Sequence, residues 1–184
     1  MELTDLLFTY GAEMNRETLR ARCGGGEMVS AAFLSGCRMA FFGHDPIWDS
    51  GMETLLANDD AGVWGVLYRL TASAWEKLDA YKGATLEGSG NYFHYPVEVV
   101  TSGGGSCLVR TYKKNVHGTL HCPSSEYLAL LLKGAAENGL PLAYQDFLRS
   151  IPSEPAKYAV PRTDGKKRGS LVVLDGGSCG PGCG

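Results

Sequence analysis

The chain has no run approaching the ~18 apolar residues that a membrane-spanning helix needs, so no bilayer-crossing helix and no membrane partner is expected. Charge of one sign is lacking too. Seventeen Lys and Arg face twenty Asp and Glu, a net of −3, which excludes the strongly basic surface that phosphate backbones select. No nucleic-acid partner is therefore expected, and the densest basic run, Lys166-Lys167-Arg168, reads as a solvated loop. The N-terminus carries acidic Glu2 and Asp5 where a secretory leader has a basic region, so the cytoplasm is the expected address. Histidine is scarce. Of His44, His94, His117 and His121, only the last two are four apart, and Gly118 and Cys122-Pro123 oppose the helix that would align them. No metal site is expected there. Internal repeats are absent.

Six cysteines in a chain of 184 residues without a leader argue against a disulfide framework. Cys23, Cys37, Cys107 and Cys122 are scattered and read as small core residues. Cys179 and Cys183 differ, because glycine and proline surround them from Gly176 to Gly184. Two thiolates do not complete a zinc or iron–sulfur site, so this end reads as a flexible, thiol-bearing tail. The expected organisation is one domain over 1–174 and a tail over 175–184.

What is present is ordinary globular material, 44% apolar and 20% charged. Leu6-Leu7-Phe8-Thr9-Tyr10 predicts a buried strand closed by Gly11. Asn15 predicts the cap of a helix through Arg22, ended by Gly24-Gly25-Gly26. Residues 31–42 predict two strands or one bent strand, and Val63 to Leu70 the strongest strand of the chain. A helix follows, with Ser73 and Glu76 spaced as a capping box and Gly83 as its stop. Residues 92–100 and 107–113 predict a hairpin across a glycine-rich turn. Tyr127, Leu128, Leu131, Leu132 and Ala135 share one helical face, and Pro141 opens a second helix through Leu148. Leu171 to Leu174 predicts a last short strand. Strands first, with one helix among them, then a helical pair, indicate an α+β domain with a curved sheet or small barrel.

Four segments in order resemble the gamma-glutamylcyclotransferase family. Phe8-Thr9-Tyr10-Gly11-Ala12-Glu13-Met14 is similar to its strand-to-loop signature, Tyr-Gly-Ser-Asn followed by Leu or Met. Val63-Trp64-Gly65-Val66-Leu67-Tyr68 resembles its central strand. Leu78-Asp79-Ala80-Tyr81-Lys82-Gly83, with Tyr92 beyond it, resembles the helix end and following strand. Gly134 to Gln145 resembles the helix-turn-helix of the animal enzyme of glutathione metabolism. The resemblance covers about residues 6–150. It implies a small mixed β-barrel flanked by helices, with a pocket at the barrel mouth and a reaction that needs no metal or cofactor. In that reaction the α-amino group of a γ-glutamyl compound attacks its own γ-carbonyl, releasing 5-oxoproline and a free amine. A small-molecule γ-glutamyl or amino-acid-like ligand is thus the implied partner, on a monomer or homodimer.

Such a ring closure needs the substrate held folded, a group that takes a proton from the ammonium and returns one to the leaving nitrogen, and donors for an oxyanion. Tyr10, Gly11, Ala12 and Met14 form the implied binding loop, and Tyr92 and Tyr144 match family tyrosines near the pocket. The family's catalytic glutamate stands just before the glycine that ends the Leu-Asp helix, where this chain has Lys82. In the loop, Ala12-Glu13 replaces Ser-Asn. Three arrangements follow: Glu13 or Glu87 substitutes as the carboxylate, Lys82 itself serves as a base, or the cyclization is lost and the pocket binds an amino-acid-like ligand or supports a related transfer. The opposite changes at 13 and 82 also predict an ion pair between them inside the pocket.

Overall fold

The computed structural model describes residues 5–85, 88–115 and 117–162. Strand β1 (Leu6–Thr9) leads through a 3₁₀ turn (Ala12–Met14) into helix α1 (Arg16–Cys23). The long strands β2 (Glu27–Asp45) and β3 (Ser50–Arg69) follow, then helix α2 (Ala72–Lys82). The hairpin of β4 (Tyr92–Thr101) and β5 (Ser106–Lys114) comes next, and helices α3 (Ser125–Glu137) and α4 (Leu142–Arg149) complete the order. The strands close into a barrel, β1-β3-β2-β4-β5. Its seam is the parallel pairing of β1 with β5 at Leu7 and Arg110, so the barrel is mixed. The α+β barrel flanked by helices is the architecture the sequence indicates. None of the helices among the described residues is long and apolar enough to cross a membrane.

Residues 31–42 lie in one bent strand, and bulges between Met28 and Ser30, Ser35 and Cys37, and Phe42 and Asp45 supply the bend. The strand expected over Val63 to Leu70 is the last part of β3, which begins thirteen residues earlier at Ser50. Its earlier part pairs with β2 from Met52 to Ala57, while Gly51, Asn58, Asp59 and Asp60, poor strand formers, fall at the breaks in that register. The cap of α2 also differs from expectation. Thr71, not Ser73, accepts from the Ala74 amide, because the chain leaves β3 extended at Thr71 and is already helical at Ser73. The predicted strand at 171–174 and the cysteine tail lie outside the described residues.

The loop after β1 is clamped from three sides. The Met14 carbonyl accepts from the Tyr68 hydroxyl at 3.0 Å and from Asn138 Nδ2 at 2.8 Å. Asn15 caps α1 through its Oδ1 and donates its Nδ2 to Glu137 at 2.8 Å. Helix α3 approaches so closely that a Cβ on Gly134 would sit 2.5 Å from the Asn15 amide nitrogen. Gly134→Ala is therefore expected to destabilise in chemical denaturation. The ~1 kcal/mol that alanine gains over glycine in a helix is smaller than the ~1–3 kcal/mol of overpacking against backbone that cannot swing aside. An unchanged midpoint would mean that the loop yields.

Candidate active site

Lys82 is the last residue of α2, where a cation meets the negative end of the helix dipole. The helix end is tied to the start of β4: the Asn91 amide donates to the Gly83 carbonyl at 2.8 Å, and Ala84 bridges to Tyr92. That connection points the Lys82 side chain into the barrel mouth, with its Nζ 5.1 Å from the Tyr92 ring centre. The 3₁₀ turn delivers Glu13 to the same place. Nζ of Lys82 lies 2.8 Å from Glu13 Oε1, so the ion pair implied by the two departures is formed. Both side chains are buried.

Two further residues join the pair, and the sequence marks neither as part of a site. Arg22, on the last turn of α1, reaches Glu13 Oε1 at 2.5 Å and lies over the Tyr81 ring. Glu53, on β3, is 2% exposed. Its Oε1 stands 3.6 Å from Lys82 Nζ, and its Oε2 accepts from the Tyr127 hydroxyl at 2.7 Å. Two carboxylates thus face two cations in a site closed to solvent, a balance that burial demands. Burial alone would raise the Glu13 carboxyl, but the charges of Lys82 and Arg22 outweigh it and hold the group at about 2. For Arg22, burial lowers the guanidinium, yet the Glu13 charge wins and pushes it above its ordinary value.

Gly11 makes room for Glu53. A Cβ on Gly11 would fall 2.0 Å from Glu53 Oε1, so the carboxylate packs directly against the backbone of the loop. The φ of Gly11, −107°, suits any residue. Glycine is needed here for space rather than for backbone freedom. Gly11→Ala is expected to cost roughly 1–3 kcal/mol by forcing the buried carboxylate off the loop. A variant as stable as the parent in urea would show that Glu53 has another place to go.

The cavity bounded by these groups measures about 10 Å³, room for a single water. Tyr10, Gly11, Glu13, Glu53, Lys82 and Tyr92 line it, together with Thr9 and Tyr112. Five of the predicted site residues therefore meet at one point: Tyr10, Gly11, Glu13, Lys82 and Tyr92. Three others do not. Ala12 and Met14 are fully buried in the 3₁₀ turn, and Met14 packs against α3 at Gly134. Tyr144 is buried on α4 and stacks near Phe147, outside the cavity lining. Glu87 lies outside the described residues. Asp79, on α2, pairs across to β4 and β5. Its Oδ1 is 2.7 Å from His94 Nε2 and accepts from the Tyr112 hydroxyl at 2.5 Å. The burial that singles out Glu53, over the whole stretch Ser50 to Leu55, appears only in the fold.

Residues 62–148 match the model of the AIG2-like family. The gamma-glutamylcyclotransferase of Homo sapiens is 32% identical over 162 residues, spanning 83% of this chain and 80% of the relative. The gamma-glutamylcyclotransferase of Bos taurus is 31% identical over 157 residues, at 83% and 80% coverage. A solved gamma-glutamyl cyclotransferase structure superposes with a TM-score of 0.77 at 28% identity, over 84% of this chain and 92% of that one.

Proposed function

The chain belongs to the gamma-glutamylcyclotransferase family, and from that premise we propose that it is a cyclotransferase-type enzyme cleaving a γ-glutamyl amine, amino acid or peptide to 5-oxoproline and a free amine, in the cytoplasm and as a monomer or homodimer. The observation that carries the reading is the meeting of Glu13, Lys82 and Glu53 beside the Tyr10-Gly11 loop. A γ-glutamyl head brings an ammonium and a carboxylate on one carbon. Such a zwitterion can exchange partners with the Glu13–Lys82 pair, its carboxylate taking the ammonium of Lys82 and its ammonium taking a glutamate. Every buried charge stays paired, so entry avoids the large cost of an isolated buried ion. With a cavity of about 10 Å³, entry also requires side chains to withdraw.

Once bound, the α-nitrogen sits close to its own γ-carbonyl, which makes the attack intramolecular. A pocket carboxylate removes the ammonium proton, and the loop amides at the head of the 3₁₀ turn offer donors to the developing oxyanion. Lys82 is unsuited as the base, since Glu13 holds its ammonium in a charge-assisted hydrogen bond at 2.8 Å.

The test is release of 5-oxoproline from a panel of γ-glutamyl dipeptides and γ-glutamyl amines, with the free amine measured in parallel. Saturable release of both products in equal amounts is expected. No release above spontaneous cyclization overturns the enzymatic reading. One observation favours a second reading, a domain that only binds an amino-acid-like ligand: Lys82, where the resemblance places the family's acid, is ion-paired with Glu13. Calorimetric binding of γ-glutamyl compounds without product release would select it.

A further inference from the structure

Resting on the cyclotransferase reading, we propose that Glu53, brought in on β3 beside the Tyr10-Gly11 loop, is the general acid–base residue of this site. Two buried carboxylates are available, and their surroundings separate them. Glu13 is gripped by two cations, Lys82 at 2.8 Å and Arg22 at 2.5 Å. Its carboxyl, held at about 2, takes up a proton too poorly at neutral pH to relay one. Glu53 is held more loosely. Its nearest cation is 3.6 Å away, outside hydrogen-bonding reach, and its hydrogen bond at Oε2 comes from the neutral Tyr127 hydroxyl.

Location supports the same choice. Glu53 Oε1 lies against Gly11, the residue at the head of the loop that is to receive the oxyanion. A group there faces both the attacking and the leaving nitrogen of a substrate folded against the loop. Glu53 is also fixed from two directions, by the Tyr127 hydroxyl on α3 and by its own backbone carbonyl, which accepts from the Tyr92 hydroxyl at 3.3 Å. In this arrangement Lys82 stands where the resemblance places an acid, and the acid stands 3.6 Å from it on β3.

Glu53 carboxylate takes one proton from the α-ammonium, leaving a neutral amine. The amine nitrogen forms a bond to the γ-carbonyl carbon, whose π electrons move to oxygen. The protonated Glu53 gives its proton to the leaving nitrogen. Collapse of the oxyanion breaks the bond to that nitrogen. The ring nitrogen, which still carries one proton too many, returns it to Glu53, and the departing amine carries it off as an ammonium. No electron acceptor or second substrate is required.

Three variants of the full-length protein test the assignment, assayed for 5-oxoproline release from the best parent substrate and checked for folding by thermal melting. Glu53→Gln keeps shape and polarity, and is expected to lower kcat by ~10²–10⁴ with little change in KM. Glu53→Asp keeps the charge one methylene short and is expected to retain more activity than Gln. Tyr127→Phe removes the donor that favours the charged carboxylate. The acid limb of its kcat/KM–pH profile is expected to move to higher pH, a readout that a merely structural role would leave in place. If Glu53→Gln does not fold, the ordering of the other two against the parent decides. Parent activity with Glu53→Gln within threefold of it, or with an unmoved acid limb in Tyr127→Phe, overturns the role of Glu53 and leaves the cyclotransferase reading standing. No release by the parent from any γ-glutamyl compound overturns both.

Discussion

Replacing Glu13 by glutamine is expected to lower the unfolding free energy by roughly 3–5 kcal/mol, the cost of removing one member of a buried ion pair. The size follows from what is left behind. Glu13 is the shared partner of Lys82 and Arg22, both of them within 2.8 Å and both nearly without solvent contact. Without it, two buried cations face Glu53 alone, and the guanidinium cannot discard its proton. For a chain of this length the change corresponds to a drop of roughly 6–20 °C in melting temperature. The effect also has a pH signature. The ordinary value of a glutamate is 4.5, and folded Glu13 is held at about 2. Its contribution is therefore complete above about pH 4.5. As the pH falls from there towards 2, the unfolded chain takes up a proton that the folded chain refuses, and stability declines. Glu13→Gln lacks that proton uptake, so parent and variant are expected to converge in urea melts taken between pH 5 and pH 2.5. A constant gap across that range would show that the loss is one of packing and not of charge.

Lys82→Met is expected to cost less than Glu13→Gln, about 1.5–3 kcal/mol. The asymmetry comes from the remaining charges. Glu13 keeps Arg22 at 2.5 Å, and the surplus negative charge falls on Glu53, which can take up a proton. A buried carboxylate has that escape, and a buried guanidinium does not. The double variant, Glu13→Gln with Lys82→Met, is expected to cost less than the sum of the two single changes by about 1–3 kcal/mol, the coupling of groups in one network. Both comparisons are read from denaturant midpoints at pH 7. Single losses that add to within 0.5 kcal/mol would mean that the 2.8 Å contact contributes nothing by itself. A Lys82→Met loss as large as that of Glu13→Gln would mean that Glu53 stays charged without its cation.

The parts of this protein that were legible in its sequence share a property: their pattern is local. The N-cap at Asn15, the face shared by Tyr127, Leu128, Leu131 and Ala135, and the arms of the β4–β5 hairpin all rest on residues within a turn or two of each other. The cap of α2 was misassigned for a local reason as well. Thr71 and Ser73 both suit a cap, and the path by which the chain leaves β3 chooses between them. Tyr144 fell on the predicted helix, but which way that helix faces is decided by its packing partners, and they turn it away from the cavity.

From sequence alone came the element order and the glycine loop after the first strand, and the family resemblance added the acid at 13 in place of Asn and the lysine at 82 in place of glutamate. Tertiary structure alone decided that Arg22 and Glu53 complete that pair. Periodicity reports which face of an element a residue occupies, through the repeat of the backbone itself. It carries no information about which residue of a distant element meets that face. Glu53 lies 40 residues from Glu13 and 29 from Lys82 along the chain. Their approach depends on the register of β3 against β1 and β2, and on where α2 ends over the barrel mouth. The consequences are steep because the energy of charges out of water changes by kilocalories over an ångström or two. A carboxylate in this site is thus a clamped ion at Glu13 and a candidate base at Glu53, a difference set by the distance to Lys82.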